Sequence, residues 1–295
     1  FIEGKFPQVN TILIPIADGG DGTCELLTEI LGLEKRLSWA LDPYGRTIPC
    51  FYGWDENSKK AYVDVSTASG IAILGNEIKK PFVASSFGTG LLIRDAVELG
   101  AKEIVLGLGG SATVDLGIGI LSALGVIFLD QNGREITQFS PNFLFKIHHI
   151  QKSTTIPNIR FSYLCDVRNI FFGDKGAIPV FGPQKGILPS EFESYENTCE
   201  EVVSLMFRKQ KKTFVDEPGF GAAGGIALGL SAFFNSEIKF GSKYFFEEIN
   251  LAKSVKWADL IITGEGRYDS QSSEGKACFE MLQLAHSHSK KVMLI

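Results

Sequence analysis

The stretch T-G-E-G-R-Y-D-S-Q-S-S-E-G-K, Thr263 to Lys276, decides how the chain is read. It follows Asp259-Leu-Ile-Ile262, a run that is apolar after its first residue and predicts a buried strand of a parallel sheet. In open α/β sheets ligands bind beyond the carboxyl ends of strands, so a strand ending in Gly-Glu-Gly-Arg marks a binding edge. The loop offers the carboxylates Glu265 and Asp269, the guanidinium of Arg267 and the amide of Gln271, with Lys276 further on. Gly264, Gly266 and Gly275 let the backbone approach a ligand closely. Taken alone, the composition also fits a solvated polar loop. Stretches of the same kind elsewhere in the chain favour the binding edge.

One lies near the start. Thr11 to Ile16 predicts an apolar strand that runs into A-D-G-G-D-G-T, Ala17 to Thr23, followed by a helical pattern from Cys24 to Leu31. Strand, glycine-rich turn and helix make the first half of a βαβ unit. Asp18 and Asp21 then sit where helix-start amides point. Those amides favour a phosphate, whereas the carboxylates repel one unless a metal lies between. Helix capping by Asp21 or Thr23 is the plainer alternative.

From Trp39 to Val65 the pattern changes to antiparallel strands around two turn signals, Asp42-Pro-Tyr-Gly45 and Asp55-Glu-Asn-Ser58. Ser66-Thr-Ala-Ser-Gly70 follows a strand, and Ser85-Ser-Phe-Gly-Thr-Gly90 precedes a helix from Leu91 to Leu99 that stops at Gly100. Hydroxyls at such places cap helices and also suit an anion. Next comes E-I-V-L-G-L-G-G-S-A-T-V-D, Glu103 to Asp115. Gly107-x-Gly109-x-x-Ala112 after a strand, with Asp130 closing the apolar run Val126 to Leu129, satisfies the dinucleotide fingerprint and supports an NAD-linked oxidoreductase as a rival. Gly117 and Gly119 weaken the helix that such a site needs. A wide phosphate-handling loop with Gly109, Gly110, Ser111, Thr113 and Asp115 fits better. Phe161 to Cys165 is a strand closed by Asp166, and Lys185 lies between Gly182 and Gly186, a point charge suited to phosphate. Gly219 to Gly225 opens a small-residue helix that runs to Phe234.

Composition limits the alternatives. A 295-residue chain with 44% hydrophobic and 21% charged residues is globular and long enough for two domains. A net charge of -5 argues against nucleic acid. The five cysteines form no C-x-x-C pair, which suits a reduced, cytoplasmic setting. The longest weakly polar run, Gly221 to Phe234, has 14 residues, too few to span a bilayer. The histidine pairs at 148–149 and 286/288 lack metal-ligand spacing, and Arg208 to Lys212 reads as a solvated helix face. The start at Phe1 and the final strand Lys291 to Ile295 suggest that both ends of a longer protein are missing.

Acids at 18, 21, 115, 166, 265 and 269, with Lys185, Arg267 and Lys276 and many glycine-lined amides, are the equipment of Mg-dependent phosphoryl transfer. No G-x-x-x-x-G-K-[ST] is present. The blocks Pro15 to Thr23, Ser85 to Gly90, Gly107 to Asp115, Cys165 to Val167, Val180 to Gly186, Gly221 to Gly225 and Thr263 to Ser272 resemble, in the same order, the type-1 glycerate kinase family. The resemblance implies an α/β fold. In it, a Rossmann-like domain is built from both chain ends, residues 1–38 and 238–295, a mixed α/β domain is inserted at 39–237, and a cleft lies between them. It also implies ATP-dependent phosphorylation of D-glycerate with Mg²⁺, by a protein for which a homodimer is allowed.

On that resemblance Asp18, Asp21, Glu265 and Asp269 are the expected Mg²⁺ ligands. Gly109, Gly110, Ser111, Thr113, Asp115, Gly264 and Gln271 are expected around ATP. Asp166 is the expected base, with Lys185 and Arg267 steadying phosphate and the glycerate carboxylate. The chain departs from the family at Val114 and Leu116, where asparagine and glycine are usual, and at Arg168 and Ile170, where aspartate and proline are. These departures keep open a protein that binds ATP or a hydroxy acid without catalysis.

Overall fold

A computed structural model describes residues 2–153, 156–264 and 277–295. The strands are β1 (Glu34–Leu41), β2 (Thr47–Asp55), β3 (Lys60–Asp64), β4 (Glu103–Gly107), β5 (Val126–Leu129), β6 (His149–Lys152), β7 (Arg160–Cys165), β8 (Asn235–Phe240), β9 (Leu260–Thr263) and β10 (Lys291–Leu294). The helices are α1 (Ile2–Lys5), α2 (Thr23–Ile30), α3 (Val65–Ser69), α4 (Phe87–Glu98), α5 (Ile118–Ala123) and α6 (Ala177–Phe181). They continue with α7 (Phe192–Gln210), α8 (Ile226–Phe233), α9 (Gly241–Glu248), α10 (Leu251–Trp257) and α11 (Ala277–Ser287).

The central sheet has six strands in the order β1-β2-β3-β4-β7-β8. The β1–β2 and β2–β3 pairs are antiparallel, and β3, β4, β7 and β8 run parallel. The two antiparallel joints follow from the turn residues. Asp42 Oδ1 accepts the amides of Tyr44 and Arg46 at 2.9 Å, and Gly45 takes φ +88°. Asp55 Oδ1 accepts the Asn57 amide at 3.0 Å. The parallel strand β4 is buried at every residue, as expected where both faces of a sheet are covered.

Alternation along the strands divides the core. Ile104 and Leu106 of β4, and Phe161 and Tyr163 of β7, pack with residues of α4, α5, α7 and α8. Val105 and Leu164 point to the other face, where Cys24 and Leu27 of α2, Phe245 of α9 and Leu251 of α10 lie. All four parallel strands end along one edge, at Asp64, Gly107, Cys165 and Phe240. All five cysteines are free and buried. Among the described residues no helix is long and apolar enough to cross a membrane.

Two sequence expectations are corrected. Thr11 to Ile16 is not a strand: it joins no sheet, and Ile12 and Leu13 are 56% and 96% exposed. A strand is defined by its ladder, and none of the described residues supplies one here. The run ending at Ile262 does form a parallel strand, β9, in register with β10. It is not buried, however, since Leu260 and Ile262 are 47% and 42% exposed in a sheet of two strands.

Asp64 ties the sheet to α2. The residue at the helix start, Gly22, offers no side chain. The carboxylate of Asp64, 40 residues away, instead accepts the Cys24 amide at 3.1 Å to each oxygen and the Glu25 amide at 3.1 Å. Burial is the largest influence on this carboxyl and raises its pKa to about 6 despite these amides. The folded chain therefore binds this proton more tightly than the unfolded chain. The contribution of Asp64 to stability consequently rises as pH falls from about 6 to about 4. Urea unfolding of the wild type and Asp64→Asn across that window is expected to show the wild type gaining on the variant by a few kcal/mol as pH falls. A constant difference would show that Asp64 titrates normally.

Candidate active site

The loops that follow the parallel strands meet at their shared edge. Residues 17–23 lie across the ends of β7 and β8. A Cβ added to Gly19, whose φ is +95°, would sit 3.0 Å from Cys165 N and 2.9 Å from Gly241 Cα. This brings the segment carrying Asp18 against the residue preceding Asp166. The same segment presses on the loop after β4. A Cβ on Gly109 would lie 2.3 Å from Asp21 N and 2.4 Å from Gly20 C, so only glycine fits there. On its other side the β4 loop is bonded to the loop after β3. Ile71 N donates to Gly110 O at 2.8 Å, and Ala112 N donates to Ser69 O at 2.9 Å.

Within this cluster the side chains play different parts. Asp18 is half-buried and accepts the Gly20 amide at 3.0 Å on Oδ1, and Asp21 is exposed. Thr23 Oγ1 donates to Gly20 O at 3.0 Å and accepts from Gly19 N at 3.1 Å, which knits the turn together. Asp166 follows the last residue of β7 and is half-buried. The guanidinium of nearby Arg168 lies 4.0 Å from the Phe240 ring centroid, a cation–π contact that holds this charge against β8.

Lys185 is 3% exposed. Its ammonium donates to Ser111 Oγ at 2.7 Å and to Thr113 O at 2.9 Å. Burial pushes its pKa down to about 7, with the Asp115 carboxylate acting in the opposite sense. Thr113 Oγ1 is buried without a hydrogen-bond partner among the described residues. Asp115 is engaged from all sides. Oδ2 accepts Ser86 N and Ser86 Oγ, each at 2.8 Å, and Gly119 N at 3.2 Å, while Oδ1 accepts Gly117 N at 3.2 Å. Its oxygens are thus committed to the starts of α4 and α5. The hydroxyls before α4 serve the same framework, since Ser85 Oγ accepts the Phe87 amide at 3.2 Å.

Gly264 follows β9, where an added Cβ would meet Ile295 O at 2.4 Å. Glu265, Arg267, Asp269 and Gln271 lie outside the described residues, as does Lys276. Among the described residues no group of three or more histidine, cysteine or acidic side chains could hold a metal. Asp18 and Asp21 supply hard carboxylate oxygens of the kind that suits Mg²⁺, from a single turn. Asp64 is the residue that sequence reasoning missed. Its signal in the sequence is an acid closing the strand β3, just before the hydroxyl-rich run Ser66 to Gly70.

The dinucleotide reading fails on geometry. No helix starts after Gly109, because α5 begins only at Ile118. Asp130 belongs to the exposed turn after β5, where Oδ1 accepts the amides of Asn132 at 2.8 Å and Arg134 at 2.9 Å. β5 pairs antiparallel with β6 in a separate sheet and is no part of a βαβ unit.

Comparison with known proteins agrees with the kinase pattern. The profile described as "Glycerate kinase family" matches residues 2–295. Glycerate 2-kinase of Escherichia coli K12 is 35% identical over 291 residues, covering 98% of this chain and 76% of that protein. Glycerate kinase of Halalkalibacterium halodurans is 34% identical, with 98% and 77% covered. The crystal structure of the Salmonella typhimurium LT2 protein assigned as glycerate kinase 2 superposes with a TM-score of 0.86 at 32% identity, covering 99% of this chain and 79% of that chain. The edge cluster and these matches lead to one conclusion: the chain belongs to the glycerate kinase family of phosphotransferases.

Proposed function

We propose that this protein transfers the terminal phosphoryl group of ATP to a hydroxyl of D-glycerate, with Mg²⁺ bound at the edge of the parallel strands. The observation that carries the reading is the seating of the Asp18–Asp21 turn on Gly109, beside the strand end that bears Asp166. Acidic oxygens, a glycine-lined backbone and a base candidate then share one place, which is what phosphoryl transfer needs. Asp18, Asp21, Glu265 and Asp269 would hold Mg²⁺, which supplies charge neutralisation at the phosphate oxygens. The amides from Gly109 to Ser111, with Thr113, Gly264 and Gln271, would receive the nucleotide. Asp166 would accept the proton of the reacting hydroxyl, and Arg267 would take the glycerate carboxylate in a bidentate pair. Lys185 would add the positive charge that an anionic substrate requires. The name of the Escherichia coli relative favours the oxygen on carbon 2 as acceptor.

The two-lobe organisation belongs to the same proposal, with one lobe drawn from both ends of the chain. The expected boundaries at 38/39 and 237/238 fall inside β1 and β8, so the division is drawn outside those strands, before Glu34 and after Phe240. A cytoplasmic setting is proposed from the five free cysteines.

A coupled ADP-release assay with D-glycerate, followed by NMR of the product, tests the reading. ADP should form only with D-glycerate and a divalent cation present, and the product should carry phosphate on carbon 2. ATP hydrolysis without phosphoglycerate, or no turnover at all, would end it. Asp166→Asn should lower kcat by about 10² or more while the melting temperature stays within a few degrees. Full activity in this variant would remove Asp166 as the base. Gly109→Ala pushes a methyl group into the Asp21 backbone and should lower kcat/KM by at least about tenfold, because the acidic turn has to shift. Unchanged kinetics would mean that this turn does not serve the site.

A further inference from the structure

The bond between Lys185 and Ser111 has a direction that chemistry fixes. In its protonated form the lysine ammonium carries three hydrogens and no acceptor, so in this pair Ser111 Oγ accepts. The hydrogen of the Ser111 hydroxyl therefore has to point elsewhere. Among the described residues it finds no acceptor: the bond to Lys185 is the only one that Ser111 Oγ makes. Ser111 is 5% exposed and adjoins the exposed Gly110, on the loop that presses against the Asp18–Asp21 turn. Two residues on, Thr113 Oγ1 is buried and has no hydrogen-bond partner among the described residues. The ammonium behind them forms no ion pair among the described residues, and Asp115, the carboxylate that acts on it, is occupied by four other donors. A buried cation beside two hydroxyls, with no ion pair among the described residues, makes an incomplete set, because buried charges in proteins are paired.

We infer that Lys185 is a positioning residue: by donating to Ser111 Oγ it commits the Ser111 hydroxyl to donate outward, to an anionic oxygen of the substrate pair. This rests on the kinase reading above and alters one part of it, since Lys185 then acts through Ser111 instead of touching the ligand. The oxygen belongs to an ATP phosphate or to the glycerate carboxylate, which present the same acceptor chemistry. A hydroxyl whose oxygen already accepts from a cation is polarised and is a stronger donor than a free serine. Lys185 supplies that polarisation and fixes the rotamer, and its bond to Thr113 O holds the ammonium in place.

The test uses the full chain with Ser111→Ala, Ser111→Thr, Lys185→Met and the double variant Ser111→Ala/Lys185→Met. Calorimetric titration with ATP and, separately, with D-glycerate gives binding, and steady-state assays give KM and kcat for each substrate. Ser111→Ala and Lys185→Met should weaken the same ligand by about tenfold or more, as expected for a lost hydrogen bond to a charged group, and leave the other within about twofold. Because the two residues act as one unit, the double variant should be no weaker than the worse single variant. Ser111→Thr keeps the hydroxyl and should recover most of the affinity. Loss confined to ATP identifies a phosphate oxygen, and loss confined to D-glycerate identifies the carboxylate. Lys185→Met weakening a ligand that Ser111→Ala leaves alone would overturn the inference, because Lys185 would then bind directly. Additive losses, or no loss in Ser111→Ala, would overturn it as well. Should Lys185→Met not fold, the Ser111→Ala and Ser111→Thr pair decides alone. Titration needs no turnover, so a failure of the kinase reading, seen as absent ADP, stays distinct from a failure here.

Discussion

The buried carboxylate of Asp115 is the interaction on which the candidate site depends. Moving an ionised carboxylate out of water costs several kcal/mol unless its oxygens are fully engaged. Here Ser86 supplies both its amide and its hydroxyl, and Gly117 and Gly119 supply amides. Burial still raises the pKa, so the charge is held but at a cost. What that arrangement secures is the path of the loop between β4 and α5. Through Asp115 the loop is tied to the starts of both α4 and α5. Tyr195 on α7 adds a further tie, its hydroxyl donating to Val114 O at 3.1 Å. Ser111 and Thr113 then have fixed positions from which to meet Lys185.

The same loop carries backbone strain. Leu116 takes φ +55°, in the left-handed region that disfavours a side chain, and Ala223 opposite takes φ +50°. Leu116 N donates to Gly224 O at 3.1 Å, so the two strained residues belong to one contact. A glycine at position 116 would remove the strain on this side. This chain keeps a leucine there whose side chain is wholly buried in the main core. Apolar burial of a leucine is worth about 2 kcal/mol and strain of this kind costs about 1–3 kcal/mol, so the exchange is close to neutral for stability. Its consequence is rigidity: a packed leucine resists the peptide rotation that a glycine would allow. Leucine at position 116 is therefore accommodated by the fold.

Much of this was legible in the sequence because local chemistry and the final structure agree. The Asp-Pro-Tyr-Gly turn at 42–45 gives the first antiparallel joint, and the run Glu103 to Gly107 is a fully covered strand. What failed depends on partners remote in sequence. Thr11 to Ile16 has the composition of a strand, yet composition supplies no ladder. The glycine fingerprint from Gly107 to Ala112 has dinucleotide spacing, but Gly109 and Gly110 pack against the Asp21 turn and the next helix begins only at Ile118. The acid at the end of β3 is visible in the sequence, but its role is not, since the amides Asp64 accepts lie on a helix 40 residues earlier in the chain. The expected organisation around Thr263 to Lys276 is the part that the described residues leave aside.

An acid-rich edge is an awkward place for an anionic substrate, and the way each carboxylate is satisfied resolves this. Asp115 has four protein donors, and Asp64 has two helix amides and a raised affinity for its proton. Neither has charge to spare for a ligand. Asp21 is exposed, and Asp18 is half-buried with one backbone amide on one of its oxygens. Their charge is compensated least by the described residues around them, and it faces the glycine-lined loop. Uncompensated carboxylates repel an anion such as phosphate. A divalent cation reverses the sign locally and turns the same two carboxylates into its anchors. On the proposed kinase reading, the turn Asp18-Gly-Gly-Asp21 would take a metal first, and phosphate only through it. On the reading proposed above, Lys185 would add its charge through Ser111, whose Oγ accepts from its ammonium.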